Sequence, residues 1–249
     1  FAFPAHFTDR GVTLERAWEQ AYAKDPAGAG LEQGLLASLP AGIHPMVLLN
    51  GTAVETGKRL VTSNIRVTPR FFADAVDILQ VTNADVPLST AAHLSARFTY
   101  VSPPGVIVNA QGERWGHVVD GGYFENSGVS EILAVMRAFL DCFDDPGQCG
   151  LHDEDARSLR QRILPILLYL PNDPERLRAR ADVGVVPPPR YELGLNDLLS
   201  PLDALLNARE ARANYAEKNA EQFVTRRMGG AYVEIGTYVD ASQGVELPL

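Results

Sequence analysis

The sequence has few cysteines, fewer basic than acidic residues and no long apolar run. Two cysteines in 249 residues are too few for a disulfide scaffold. With 22 basic and 31 acidic residues the formal charge is −9, which repels phosphate backbones, so we expect no nucleic-acid partner. The longest apolar run, 163–170, contains Pro165 and is far shorter than the ~20 residues that a membrane-spanning helix needs. We therefore expect a globular protein that is cytoplasmic or associated with a membrane surface.

The two cysteines lie in an acidic loop. Cys142 and Cys149 are either free thiols or a disulfide, and the low cysteine count favours free thiols. The carboxylates around them do not follow the EF-hand ligand spacing, so a solvated loop is favoured over a calcium site. We expect no bound metal. The acidic residues concerned are Asp141, Asp144, Asp145, Asp153, Glu154 and Asp155.

Hydrophobic periodicity predicts an α/β fold. Apolar residues make up 46% of the chain, enough for a sizeable core. Glycine and proline separate short periodic segments, with Pro201 expected to break one helix. Residues 71–79 fit a helix or a strand equally well. Helices are predicted over 14–22, 90–97, 132–140 and 195–227, and strands over 46–49, 60–67, 106–109, 115–119, 163–169 and 231–235.

One junction between predicted elements carries a carboxylate. The strand over 115–119 continues directly into Asp120, Gly121 and Gly122, and a predicted helix follows. Asp120 is therefore expected at the carboxyl end of a strand, where ligands and catalytic groups collect in open α/β sheets. Two interpretations stay open. The aspartate caps its own tight turn, or it is a functional carboxylate whose small neighbours let a substrate approach.

Four ordered motifs resemble the patatin-like phospholipases. They are PMVLLNGTAVETG at 45–57, STAAHLSARF at 89–98, VSPPG at 101–105 and HVVDGGYFENSG at 117–128. The resemblance covers about 45–128. An Asp-Gly-Gly triplet alone is unspecific, and the order of the four motifs is what makes the resemblance specific.

The resemblance implies a three-layer α/β/α sandwich that hydrolyses acyl esters of lipids with a Ser-Asp dyad and no cofactor. Asp120 matches the dyad aspartate, which takes the proton of the serine hydroxyl. Gly121 and Gly122 complete the motif. Asn126 matches the asparagine that follows it, which implies a hydrogen-bonding role behind the site. The implied partners are a lipid or acyl-ester substrate and a membrane surface.

Two functional elements of the family pattern are missing from the sequence. It contains no Gly-x-Ser-x-Gly elbow for the nucleophile and no glycine run for the oxyanion hole. We therefore expect 1–249 to be a single domain that forms the C-terminal part of a patatin-like domain. On this hypothesis it is inactive without the remainder of its polypeptide upstream. The alternative is a non-catalytic lipid-binding or regulatory domain that has lost the nucleophile.

Two other side chains were candidates for a catalytic role. His117 is three residues from Asp120, but on a strand positions i and i+3 lie on opposite faces, which favours a packed or surface imidazole. Ser95 lies in a predicted helix rather than on an exposed elbow, which argues against a nucleophile.

Overall fold

The computed structural model describes residues 10–24, 30–40, 42, 44–98, 101–171 and 196–235. The chain divides into two compact units, Phe1–Ala134 and Val135–Leu249, which we describe separately. The predicted α/β class is confirmed by the mixture of helices and sheets. The prediction of a single domain stays a prediction.

The first unit contains a mixed five-stranded sheet with the order β3-β2-β1-β5-β4. β1 is antiparallel to both β2 and β5, β5 is antiparallel to β4, and β2 is parallel to β3. The central strand β1 therefore lies beside the strand that ends in Asp120. The strands are β1 (Leu48–Ala53), β2 (Arg59–Ser63), β3 (Ala75–Asp77), β4 (Gly105–Val108) and β5 (Arg114–Asp120).

Four helices accompany this sheet. They are α1 (Arg10–Tyr22), α2 (Leu35–Ser38), α3 (Ile78–Thr82) and α4 (Leu88–Ser95). α3 and α4 pack on the sheet, and α1 packs on α4. The core between them consists of buried apolar side chains, namely Ala53, Leu60, Ile78, Leu94, Ile107 and Val118.

Turn glycines explain how the strands are connected. Gly57 has φ 65° between β1 and β2, and Gly112 has φ 80° between β4 and β5. Glycine reaches positive φ without steric cost, so these positions favour tight turns. Residues 71–79, which fitted a helix or a strand equally well, contain the short strand β3, and α3 follows it directly.

Helix α5 (Val129–Asp144) crosses the boundary between the units, and the second unit continues with α6 (Asp153–Arg162). Strand β6 (Ile166–Tyr169) pairs in parallel with β7 (Ala231–Glu234). Helix α7 (Asn196–Gln222) ends in a π-helical turn, Phe223–Arg227. Among the described residues, no helix is both long enough and apolar enough to cross a bilayer.

Two expectations for this unit are wrong. α7 runs through Pro201 without a break, because the strong helix formers around it outweigh one lost hydrogen bond. Cys142 and Cys149 form a disulfide with a Cα–Cα distance of 5.5 Å, not free thiols. The reason is a short 3₁₀ turn, Pro146–Cys149, which returns the chain to the end of α5.

The acidic loop has a structural explanation. Asp153, Glu154 and Asp155 form the first turn of α6, where the helix dipole stabilises negative charge. Over the ranges that the structure covers, no three His, Cys, Asp or Glu side chains come together as a metal site.

Gly51 allows α4 to pack closely against the sheet. A Cβ at this position would lie 2.5 Å from Val118 Cγ2 and 3.3 Å from the Leu94 carbonyl oxygen. We expect Gly51→Ala to lower the free energy of unfolding by about 1–3 kcal/mol, because overpacking a filled core forces side chains to shift. Urea denaturation measures this change.

Gly147→Ala is the matched control. A Cβ there would meet no atom within 4 Å, so its free energy of unfolding should stay within about 0.5 kcal/mol of the wild type. Equal stability of Gly51→Ala and the wild type would contradict the close packing of α4.

Candidate active site

The backbone of Asp120 is held from two sides. Its N–H donates to the Arg97 carbonyl at 3.1 Å, two residues beyond the end of α4. Its carbonyl accepts a hydrogen bond from Thr52 Oγ1 on β1 at 2.9 Å. Asp120 also stands opposite Gly51 in the β1–β5 register. These contacts fix the direction in which the half-buried side chain leaves the strand.

The carboxylate caps the turn that follows it. Asp120 Oδ1 accepts the Gly122 N–H at 2.6 Å, at the start of the 3₁₀ turn Gly121–Tyr123. The turn-capping interpretation is therefore confirmed. The second oxygen, Oδ2, has no hydrogen-bond partner within the described part of the chain.

Both glycines of the motif are required by close approach. A Cβ on Gly121 would lie 2.5 Å from the Asn50 carbonyl oxygen, a backbone atom of β1. A Cβ on Gly122 would lie 2.9 Å from Asp120 Oδ1 and 3.4 Å from Asn126 Oδ1. Any larger residue at 122 would therefore press on the carboxylate itself.

Asn126 is exposed, and its side-chain oxygen lies on the same side of Gly122 as the carboxylate. Its implied hydrogen-bonding role stays a prediction. The neighbouring Glu125 is buried and accepts from the N–H groups of Ser127 and Ser130 at the start of α5. Glu125 was not among the predicted site residues, although negative charge shortly before a helix is favoured by the helix dipole.

Arg59 anchors the segment after the turn. It is buried on β2, lies 2.6 Å from Glu131 Oε1, pairs with Asp74 and stacks 5.5 Å from the Phe124 ring centroid. Burial alone would lower the pKa of Arg59, but the charges and hydrogen bonds of Glu131 and Asp74 outweigh burial and raise that pKa. Burial raises the pKa of the Glu131 carboxyl, and the Arg59 charge offsets only part of this shift.

Arg59 and Leu60, which are neighbours on β2, show what packs on each face of the sheet. Neighbouring residues on a strand point to opposite faces. Leu60 packs in the core with Ile78 and Leu94, whereas Arg59 meets Glu131 of α5. Helical segments therefore contact both faces of the sheet in the first unit. Sequence analysis missed this ion pair because the two residues are 72 positions apart.

An unpredicted chain of hydrogen bonds links three buried side chains. They are Ser102, His93 of α4 and Glu15 of α1. His93 Nε2 is 3.2 Å from Ser102 Oγ, and His93 Nδ1 is 2.6 Å from Glu15 Oε1. The Ser102 N–H already donates to the Phe98 carbonyl, and the next two residues are prolines without an N–H. Ser102 and the two described residues that follow it therefore supply no backbone N–H for an oxyanion, which argues against a hydrolytic triad.

A sequence signal for this chain existed. His93 lies among small and apolar residues in α4, which indicates a buried imidazole. A charged group at a buried position needs a partner, and such positions indicate buried pairs even where the partner is unknown.

The two other candidates do not join the Asp120 carboxylate. His117 Nδ1 lies 2.5 Å from Glu55 Oε1, and the His117 N–H also donates to the Glu55 carboxylate. These contacts hold the pKa of Glu55 below 4.5. Ser95 lies in a helix, as predicted, and is the last residue of α4.

No protein-family model matches the chain, and the search of curated proteins finds no match either. The functional conclusion therefore depends on the geometry around Asp120 and on the sequence motifs.

We expect ionisation of Glu131 to destabilise the protein as the pH rises. Burial raises its pKa in the folded protein above the ordinary value of 4.5. Its contribution to the free energy of unfolding is therefore fully present below pH 4.5 and is lost as the pH rises through the raised pKa. Glu131→Gln cannot ionise, so its free energy of unfolding should fall less steeply above pH 4.5. Urea unfolding at a series of pH values measures both slopes.

Glu55→Gln is the control, because the pKa of Glu55 is shifted in the opposite direction to that of Glu131. The folded pKa of Glu55 is lowered, so its contribution is present above 4.5 and is lost as the pH falls through the lowered value. This variant should alter only the acidic limb. An unchanged slope above pH 4.5 in Glu131→Gln would contradict the prediction.

Proposed function

We propose that this chain is the base-bearing part of a patatin-like lipid acyl hydrolase, with Asp120 as the general base of a Ser-Asp dyad. The single observation that carries the proposal is that the two oxygens of the Asp120 carboxylate differ in their hydrogen bonding. Oδ1 is bound by the Gly122 N–H, and Oδ2 is left for a reacting hydroxyl. The ordered motifs around Asp120 give the class of reaction.

The proposed reaction has two steps with the same base. Asp120 Oδ2 accepts the serine hydroxyl proton while the serine oxygen attacks the ester carbonyl, and the alcohol leaves with that proton. Oδ2 then accepts a proton from water, whose oxygen attacks the acyl-serine. The bond between the acyl carbon and the serine oxygen breaks, the serine oxygen takes the proton back from Oδ2, and the fatty acid is released. The fixed Oδ1 holds the carboxylate in one orientation, so less rotational freedom is lost in reaching the transition state.

We propose that the serine and the oxyanion donors belong to a part of the polypeptide outside the printed sequence. That sequence contains no Gly-x-Ser-x-Gly pentapeptide. The proposed architecture is the three-layer sandwich of the patatin type. It is supported by the helical contacts on both faces of the sheet, through Leu60 on one face and Arg59 on the other.

Exposed apolar side chains near Arg97 support the proposal that the substrate is a lipid. They also support the proposal that the lipid comes from a membrane surface. Phe98 is 52% exposed and Val101 is 64% exposed, and both follow the residue that accepts the Asp120 N–H. Apolar side chains at the edge of a site favour contact with acyl chains or a lipid surface.

The test uses a longer protein that contains this chain and its upstream sequence. Asp120→Asn keeps a side-chain oxygen for the Gly122 N–H but removes the base. We expect turnover of a p-nitrophenyl acyl ester to fall by at least about a hundredfold, while the thermal unfolding temperature stays near that of the wild type.

Asp77→Asn is the matched control. Asp77 also ends a strand and also caps a following helix, through Oδ1 and the Gln80 N–H at 3.2 Å. Its turnover should stay within a few-fold of the wild type. Undiminished turnover in Asp120→Asn would refute the role of Asp120. Absence of turnover in the wild type would favour the non-catalytic lipid-binding domain.

A further inference from the structure

Helix α1 is joined to α4 by one buried carboxylate. Glu15 Oε1 lies 2.6 Å from His93 Nδ1 and accepts from Arg97 Nη2 at 3.2 Å, while Oε2 accepts from Thr90 Oγ1 at 2.8 Å. Thr90 and His93 lie one turn apart on α4, and Arg97 lies two residues beyond its end. One side chain of α1 therefore binds both α4 and the segment that follows it.

Arg97 continues this connection to Asp120. Its guanidinium also donates to the Pro103 carbonyl at 3.0 Å, and its own carbonyl accepts the Asp120 N–H. The surrounding packing is close. A Cβ on Gly11 would lie 2.7 Å from Arg97 Nη1, and a Cβ on Gly105 would lie 2.8 Å from Arg97 Nε. Arg97 is therefore held between α1 and β4 with little room to move.

We infer that Glu15 is a positioning residue for Asp120 and acts through Arg97. Glu15 fixes the Arg97 guanidinium, the fixed guanidinium holds the backbone after α4, and that backbone supplies the acceptor for the Asp120 N–H. The catalytic meaning of this coupling rests on the proposed function. The coupling itself is a property of the fold and can be measured without turnover.

Amide hydrogen exchange in the 249-residue chain tests the coupling. Glu15→Gln keeps the shape of the side chain but removes its charge. We expect the Asp120 amide to exchange at least about tenfold faster. The reason is that Arg97 loses its buried hydrogen bond to the charged Glu15 carboxylate and then holds the acceptor of the Asp120 N–H less firmly. Amides of β2, which β1 separates from β5 in the sheet, should exchange within about twofold of the wild-type rate.

Glu19→Gln is the matched control. Glu19 lies one turn further along α1 and accepts from Ser89 Oγ at 2.6 Å, so it also joins α1 to α4, but at the start of α4. Its Asp120 amide should keep the wild-type exchange rate. Equal acceleration in Glu15→Gln and Glu19→Gln would mean that only helix docking matters, and this would overturn the inference. Unchanged exchange in Glu15→Gln would also overturn it.

Thr90→Val is the second variant if Glu15→Gln does not fold. It removes one of the three hydrogen bonds to Glu15 and leaves the ion pair with Arg97. We expect the Asp120 amide to exchange about threefold faster, and an unchanged rate would overturn the inference.

Kinetics then separate the inference from the proposed function. In the longer protein, Glu15→Gln should lower kcat and leave KM unchanged, since it misplaces the base without touching the substrate. A wild type without turnover refutes the proposed function alone, because the exchange result stands without it. Loss of kcat without faster exchange at Asp120 would overturn the inference alone.

Discussion

The hydrogen bond from the Asp120 N–H to the Arg97 carbonyl joins the end of β5 to the end of α4. Together with the Thr52 hydroxyl on the Asp120 carbonyl, it determines where the carboxylate projects. The buried charges on the two sides of the sheet support this arrangement. Glu15 holds Arg97 on one side, and Arg59 holds Phe124 and Glu131 on the other.

These buried charges serve position more than stability. Removing a carboxylate and a guanidinium from water costs several kcal/mol, which their mutual attraction recovers only in good geometry. The raised pKa of Glu131 is consistent with this balance, because burial outweighs its attraction to Arg59. Such pairs specify which segments meet. Here they specify the segments on either side of Asp120, whose carboxylate is fixed through one oxygen by the Gly122 N–H.

Local features of the fold were predictable, and contacts distant in sequence were not. Glycines were predicted to separate the periodic segments, and Gly57 and Gly112 do lie in turns at positive φ, which favours glycine. The strand end at Asp120 followed from a strand pattern that runs directly into two glycines. Glu15 and Arg97 are 82 residues apart, so no local pattern could pair them. The disulfide was missed because it depends on a turn that returns the chain to α5.

The most direct measurement is the site of fluorophosphonate labelling in the longer protein, identified by peptide mass spectrometry. A fluorophosphonate reacts preferentially with a serine whose hydroxyl is activated by a base. The dyad mechanism predicts one labelled serine outside the printed sequence, and no label when Asp120 is replaced by Asn. A label on Ser102, or a wild-type protein that takes up no label, would contradict it.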